Sequence, residues 1–196
     1  MLARTTSVHD TRALAAALAE LVRPGDVILL TGEMGAGKTA FTQGLGAGLG
    51  VTERVTSPTF TIAQTYEGGR LRVHHLDVYR LEHLHEALDI GLAEMIDEGA
   101  VVVIEWGDAV VPVLPADYLE IRITFAPLPD DAGGGTDAGA AGAAGAEGAG
   151  PAPADEAALD ALADVRCWHL RPVGDRWAAR SDGLRATLAR WEDPSC

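Results

Sequence analysis

Eight consecutive residues carry the strongest chemical signal in the chain: Gly32-Glu33-Met34-Gly35-Ala36-Gly37-Lys38-Thr39. They match the phosphate-binding pattern GxxxxGK[ST] in full. Glycines let backbone N–H groups turn inward as an anion nest, and a following helix adds partial positive charge at its start. Gly35, Ala36, Gly37, Lys38 and Thr39 are therefore the expected phosphate cradle, with Lys38 reaching the β- and γ-phosphates and the Thr39 hydroxyl on magnesium. Lys38 is the only lysine among fifteen basic residues. The others are arginines, whose planar fork cannot replace a compact ammonium inside such a nest.

A site of this kind needs carboxylates at the tips of neighbouring strands, to hold magnesium and orient the attacking water. Glu105 closes the apolar run Val101-Val102-Val103-Ile104, with Glu standing where Asp is commoner. Asp77 closes the run 71–76 within His74-His75-Leu76-Asp77-Val78-Tyr79-Arg80. Both are catalytic candidates, and Glu105 is also a candidate metal ligand; the plainer reading is a solvated acid at a strand end. Ser57-Pro58-Thr59 lies where the switch loops of nucleotide hydrolases sense the γ-phosphate, which makes Ser57 and Thr59 candidates, although alone the segment is an ordinary turn. Trp106 follows Glu105 directly and is expected either to shield the site or to be plain core. Adjacent strand residues point to opposite faces, so His74 and His75 are not expected to chelate one ion. His83 and His85 read as solvated helix residues.

The elements that must position these groups follow from hydropathy. After a short first strand, Asp10 reads as an N-cap, and Leu14, Leu18, Leu21 and Val22 form one helical face that Pro24-Gly25 ends. The run 27–31 is apolar throughout, as in a strand buried on both faces of a parallel sheet. The glycine-rich turn follows it and opens a helix over 38–49. Strands are predicted over 59–66 and 71–76 around a Gly68-Gly69 hairpin turn. A helical stretch is expected over 82–96, broken near Gly91, and a central strand over 100–105. Alternation over 118–125 predicts a half-buried strand at the edge of the core. From 127 to 158 the chain collapses to Gly, Ala, Pro and acids, which cannot bury enough apolar surface to offset ordering, so a disordered insertion is expected there, with an acidic docking segment as the alternative. A final hairpin of 165–171 with 177–180 and a helix over 184–191 complete the pattern. The expected fold class is α/β, a P-loop NTPase fold whose mixed central sheet is flanked by helices. Residues 1–126 form the core, 127–158 the insertion, and 159–196 a C-terminal hairpin and helix completing the same domain.

Composition narrows the function classes. A net charge of −14 argues against unaided binding to nucleic acid or an anionic membrane, although eight acids between Arg122 and Arg166 supply more than half of it. The two cysteines, Cys167 and Cys196, form no CxxC, so neither a disulfide framework nor a zinc site is expected and a reducing compartment fits. No apolar run approaches the ~20 residues that cross a bilayer, and the N-terminus lacks signal-peptide features. A cytoplasmic location is expected.

The blocks GEMGAGKT, VTSPTFTI, HHLDVYRL and VVVIEWG, in that order, resemble the TsaE family, bacterial ATPases of tRNA threonylcarbamoyladenosine (t6A) synthesis. The resemblance runs from about residue 10 to 125 and resumes weakly after 165; the acidic insertion departs from the family pattern. It implies that Gly35 to Thr39 cradle the phosphates of ATP and that Thr39 and Glu105 bind Mg2+. It further implies that Ser57-Pro58-Thr59 is a first switch, that Asp77 is needed for hydrolysis, and that Trp106 belongs to a second switch region. Base contacts would come from the segment around Asp10. Such a protein serves partner subunits of the TsaB and TsaD type, resetting them by ATP hydrolysis that is weak alone and stimulated by them, and it meets tRNA only through that complex.

Three rivals share the phosphate loop. A switch GTPase needs an Asn-Lys-x-Asp element, and the chain contains no asparagine. A small-molecule or nucleotide kinase usually carries an Arg-rich lid, where the stretch after Glu105 offers Gly, Pro and apolar residues. A module that holds ATP without turning it over would not need both Asp77 and Glu105.

Overall fold

Two apolar runs set the centre of the molecule. The computed structural model describes residues 1–80, 90–126 and 164–196. In it β1 spans Leu2–Thr5, β2 Val27–Gly32, β3 Ala63–Tyr66, β4 Val73–Asp77, β5 Val101–Glu105, β6 Tyr118–Phe125 and β7 Arg166–Val173. Ile28, Leu30, Val101 and Val103 face one side of the sheet, while Val27, Leu29, Val102 and Ile104 face the other. Strands apolar on both faces must be covered on both, which is the parallel arrangement.

One side is covered by α1 (Val8–Leu18) and α2 (Lys38–Leu49), which bring Leu14, Leu18, Phe41 and Leu45 onto the sheet. Each such side chain stabilises the fold by about 1.5–3 kcal/mol relative to exposure. The other side is covered by α3 (Leu92–Asp97) and a 3-10 turn, Gly107–Val113, through Leu92 and Val110. The strand order is β1-β7-β6-β2-β5-β4-β3. The four strands β6, β2, β5 and β4 run parallel, and β7, β1 and β3 extend the sheet antiparallel. This is the mixed, helix-flanked α/β sheet expected from the sequence.

The two helices on the first side touch backbone to backbone. A Cβ at Gly44 would stand 2.3 Å from the Arg12 carbonyl oxygen, and one at Gly48 2.7 Å from that of Ala16. Residues four apart share a helix face, so these glycines seat α2 on α1 and thereby fix the helix whose first turn carries Lys38 and Thr39.

Several local expectations are corrected. The N-cap of α1 is Ser7, whose hydroxyl accepts the Asp10 N–H at 3.1 Å; Asp10 sits in the first turn, and its carboxylate accepts the Thr6 N–H at 3.1 Å. β3 begins at Ala63, because the chain turns at Ile62, which has a positive φ of 65°. The half-buried strand expected over 118–125 is β6, with Ile121 and Ile123 buried and Arg122 and Thr124 exposed; what the alternation does not reveal is its place within the sheet, between β2 and β7. The segment over 165–171 is strand, but its partners are β6 and β1, while Trp177 belongs to a short helix, α4 (Asp175–Ala178), that buries its ring. The terminal helix is α5 (Ser181–Leu188), continued by a 3-10 turn over Ala189–Trp191.

The cysteine expectation is also corrected, since Cys167 and Cys196 form a disulfide with a Cα–Cα distance of 5.3 Å. The segment after Trp191 runs along β1, where Glu192 bridges Ala3 and the Asp193 N–H reaches the Leu2 carbonyl, and this delivers Cys196 to β7. Cysteine usage therefore lends no support to a reducing compartment. Among the described residues no helix is long and apolar enough to cross a membrane. The first part of the helical stretch over 82–96 and the insertion over 127–158 lie outside the described residues.

Candidate functional site

The phosphate-loop residues take their places from β2 and β6. At Gly32 φ is +143°, and a Cβ there would stand 2.4 Å from the Ile123 carbonyl oxygen of β6, so only glycine lets the strand turn out into the loop. The loop closes at Gly37, which begins α2 with a φ of 109°. Lys38 is buried; its ammonium donates to the carbonyl oxygens of Gly32 and Glu33 at 2.7 and 2.8 Å. It also lies 3.5 Å from the centre of the Trp106 ring, a cation–π contact. Burial pushes the Lys38 ammonium below its ordinary pKa, while Glu105 and Asp77 pull it the other way. Trp106 holds a left-handed backbone, φ 63°, uncommon for a bulky residue. Its N–H is bound to the Leu30 carbonyl at 2.9 Å, and the Tyr79 ring stands 4.7 Å from its own.

The acids arrive by strand register. Glu105 pairs with Leu30 of β2 on one side and with Asp77 of β4 on the other, so the three parallel strands end together. The carboxyl ends of parallel strands are where open α/β sheets bind ligands. The Thr39 hydroxyl donates to Glu105, 2.9 Å from Oε1 and 3.2 Å from Oε2. On Asp77, Oδ2 accepts the Thr59 hydroxyl at 2.6 Å and that of Ser57 at 3.2 Å, while Oδ1 accepts the Tyr79 N–H at 3.1 Å. Asp77 thus ties the 57–59 loop to the sheet.

The cleft over these groups measures about 460 Å³ and brings together Gly35, Gly37, Lys38, Thr39, Ser57, Thr59, Asp77, Glu105 and Trp106. A Cβ at Gly35 would meet nothing within 4 Å, so that loop backbone lies open. The hydroxyl and carboxylate oxygens of Thr39, Asp77 and Glu105 are hard donors of the kind magnesium takes beside phosphates. Of the residues expected at the site, Ala36 is fully buried in the core and Asp10 stands apart, its carboxylate accepting the Trp191 indole N–H at 2.7 Å. A smaller recess of about 210 Å³ borders Gly35 and Gly37 on the α1 side, lined by Ser7, Val8 and Thr11.

Sequence reasoning missed two residues. Tyr79 lines the cleft beside Arg80, which the sequence offers as one of the candidate arginines near the site with Arg70 and Arg72, and His75, fully buried, places Nε2 2.7 Å from Glu105 Oε1. A signal was present for His75: it stands two positions before Asp77 in the same strand, and alternate strand residues share a face. His74 points the opposite way, with Nδ1 2.9 Å from the Thr65 hydroxyl and Nε2 3.8 Å from Glu98. His83 and His85 lie outside the described residues. Among the arginines after the switch segment, Arg70 caps the carbonyls of Ala19 and Val22, and Arg72 pairs with Glu67 and Glu98. Arg80 alone of these reaches the cleft, its guanidinium 4.9 Å from the exposed Phe60 ring.

Known proteins resemble this chain in sequence and in fold. The family model described as threonylcarbamoyl adenosine biosynthesis protein TsaE matches residues 5–128. The tRNA threonylcarbamoyladenosine biosynthesis protein TsaE of Bacillus subtilis is 44% identical over 123 residues, covering 63% of this chain and 77% of that protein. The protein of the same name from Streptomyces coelicolor is 46% identical over 118 residues, covering 59% and 79%. The crystal structure of Bacillus subtilis YdiB superposes with a TM-score of 0.66 at 30% identity, covering 95% of this chain and 94% of that one. With more than half of its length matched by the family model and its sheet shared with a solved relative, the chain belongs to the TsaE family of threonylcarbamoyl adenosine biosynthesis proteins.

Proposed function

We propose that the chain is a magnesium-dependent ATPase that supports t6A formation on tRNA by resetting a partner complex of the TsaB and TsaD type. The observation that carries this reading is the contact between Thr39 and Glu105, 66 positions apart in sequence. It joins the phosphate-loop hydroxyl to a strand-end carboxylate, and the same cleft holds Lys38 and Asp77. In this reading Gly35 to Thr39 cradle the phosphates and the Lys38 ammonium moves from the loop carbonyls to phosphate oxygens. Thr39 and Glu105 would hold magnesium, which when bound would supply positive charge to offset that developing on the phosphates. Glu105 accepts the hydrogen bond of the Thr39 hydroxyl, which turns that oxygen's lone pair toward the cation. Asp77 orients the 57–59 loop and the attacking water, and Trp106 excludes bulk water from the Lys38 side. The base end of the nucleotide fits the recess beside Ser7, Val8 and Thr11, so the N-terminal contribution comes from the first turn of α1, with Asp10 acting through its hold on Trp191.

Arg80 is the arginine nearest the cleft, and its partner there is an exposed ring rather than a buried carboxylate. A cleft lined by one arginine among the described residues, held this way, binds nucleotide better than it stabilises the transition state, and charge supplied by a partner can be worth several powers of ten. The test is steady-state phosphate release from ATP, with magnesium and with chelator, in the presence and absence of purified TsaB- and TsaD-like proteins. Slow release alone, dependent on magnesium and accelerated by the partners, is expected. Fast turnover with no response to the partners would favour a free-standing ATPase or a kinase.

A further inference from the structure

The mechanism just described leaves one buried, chemically capable side chain without a role. His75 sits in the middle of β4, fully enclosed, with Nε2 2.7 Å from Glu105 Oε1. Its other nitrogen, Nδ1, is buried and has no hydrogen-bond partner among the described residues. The nearest aromatic ring, that of Tyr66, has its centroid 6.4 Å away. Strand register explains the approach: His75 pairs with Val103 and Asp77 with Glu105, so the imidazole lies one pleat behind the two carboxylates on the face they share.

We propose that His75 is a positioning residue that clamps Glu105 in the orientation the Thr39 hydroxyl and the magnesium site require, an inference that rests on the ATPase reading above. Glutamate carries one more rotatable bond than the aspartate commoner at this place, so its carboxylate can swing where the shorter acid could not. Glu105 receives a hydrogen bond from each side: a ring N–H fixed within the sheet and the hydroxyl of the first turn of α2. The pattern of partners also selects the tautomer. A proton on Nδ1 would be a buried donor with nothing to meet, and Nε2 would then face a carboxylate with its lone pair. The proton therefore belongs on Nε2, where it holds Oε1. Groups that orient a metal-binding carboxylate typically change metal affinity or activity by about 10–100-fold when removed.

The experiment compares His75→Leu, which keeps bulk and loses the donor, with His75→Gln, whose terminal amide can place an N–H near the position of Nε2. Both are assayed for phosphate release with partners over a range of ATP and magnesium concentrations. For His75→Leu the expected result is a fall in kcat of about 10-fold or more, a raised magnesium requirement, and a KM for ATP little changed; His75→Gln should recover most of the loss. A folded His75→Leu protein with wild-type kcat and magnesium dependence, or equal losses in the Leu and Gln variants, would overturn the clamp. Nitrogen NMR of the histidine-labelled wild-type chain provides a second readout that needs no turnover. It should show the proton of His75 on Nε2 and a shift of that resonance in Glu105→Gln; a proton on Nδ1 would overturn the proposal even if His75→Leu failed to fold. Absence of phosphate release by the wild type would instead overturn the ATPase reading, leaving the NMR result to decide the clamp.

Discussion

The Lys38 ammonium is bound by two carbonyl oxygens of its own loop and by the face of Trp106. A cation so placed can exchange one set of oxygens for another without entering bulk water. Lys38→Ala is expected to weaken ATP binding by about 100-fold or more, since each hydrogen bond to a charged group contributes roughly 1.5–3 kcal/mol. Calorimetric titration checks this, with circular dichroism showing that the variant is folded; unchanged affinity would remove the phosphate-loop assignment. Glu105→Gln and Asp77→Ala should affect turnover more than binding, with losses of about 10²-fold or more from one preorganised group. The measurement is phosphate release against ATP affinity in each variant, with partners present, and wild-type turnover in both would mean that other acids serve the site. At this scale the loop was legible because its eight residues are contiguous and their types are dictated by phosphate geometry. His75 was not, because its contact with Glu105 depends on the β4–β5 register, which no local spacing reveals. Asp10 looked like a cap from its residue type alone, and the hydroxyl of Ser7, one position ahead of α1, took that place.

Elements were legible wherever one strand or helix declared itself. The runs in β2 and β5 are apolar at every position that must be buried on either face, and both strands are where hydropathy puts them. The position of β6 was not legible, since an uncovered face and a sheet edge give the same alternation. Nor was the pairing of β7, whose partner β6 lies across residues 127–163 in sequence. That pairing has a measurable consequence. Phe125 of β6 and Arg166 of β7 are register partners, and the Ala126 N–H reaches the Val165 carbonyl at 3.2 Å. The intervening segment therefore leaves and returns to the sheet at one point. Deleting residues 130–155 and joining the ends should change stability by only about 1 kcal/mol, because each halving of loop length alters closure entropy by about 0.6 kcal/mol. Thermal melting and ATP titration of the shortened chain check this, and a loss of many degrees would show that the segment packs or docks.

Across the whole molecule, the C-terminal helices are fastened to the first half of the chain by ion pairs, and the segment that follows them is fastened to β7 by the disulfide. Arg180 makes a bidentate pair with Asp26 at 2.6 and 2.9 Å, both side chains almost wholly buried, and also donates to the Leu21 carbonyl. Arg180→Ala would leave the buried Asp26 carboxylate with the Arg23 N–H at 2.8 Å and, as its nearest cation, the half-exposed Arg176 guanidinium 3.6 Å away. The expected destabilisation is about 3–5 kcal/mol by chemical denaturation, with ATP affinity retained in the folded fraction. A change below about 1 kcal/mol would mean that Arg176 replaces it. Neither this pair nor the disulfide was visible in the sequence, since each joins residues whose meeting depends on the complete sheet. The sheet order places β1 against β7, the most N-terminal and the most C-terminal of the described strands, and β7 is also the outer neighbour of β6. During synthesis the phosphate-loop strand can acquire β5 and β6 while the ribosome is still working, yet β1 must wait for β7 before it has any partner. Assembly in time therefore runs from the middle of the sheet outward on this side, and until β7 emerges the nascent chain carries an open strand edge on β6 that other chains or chaperones can meet first.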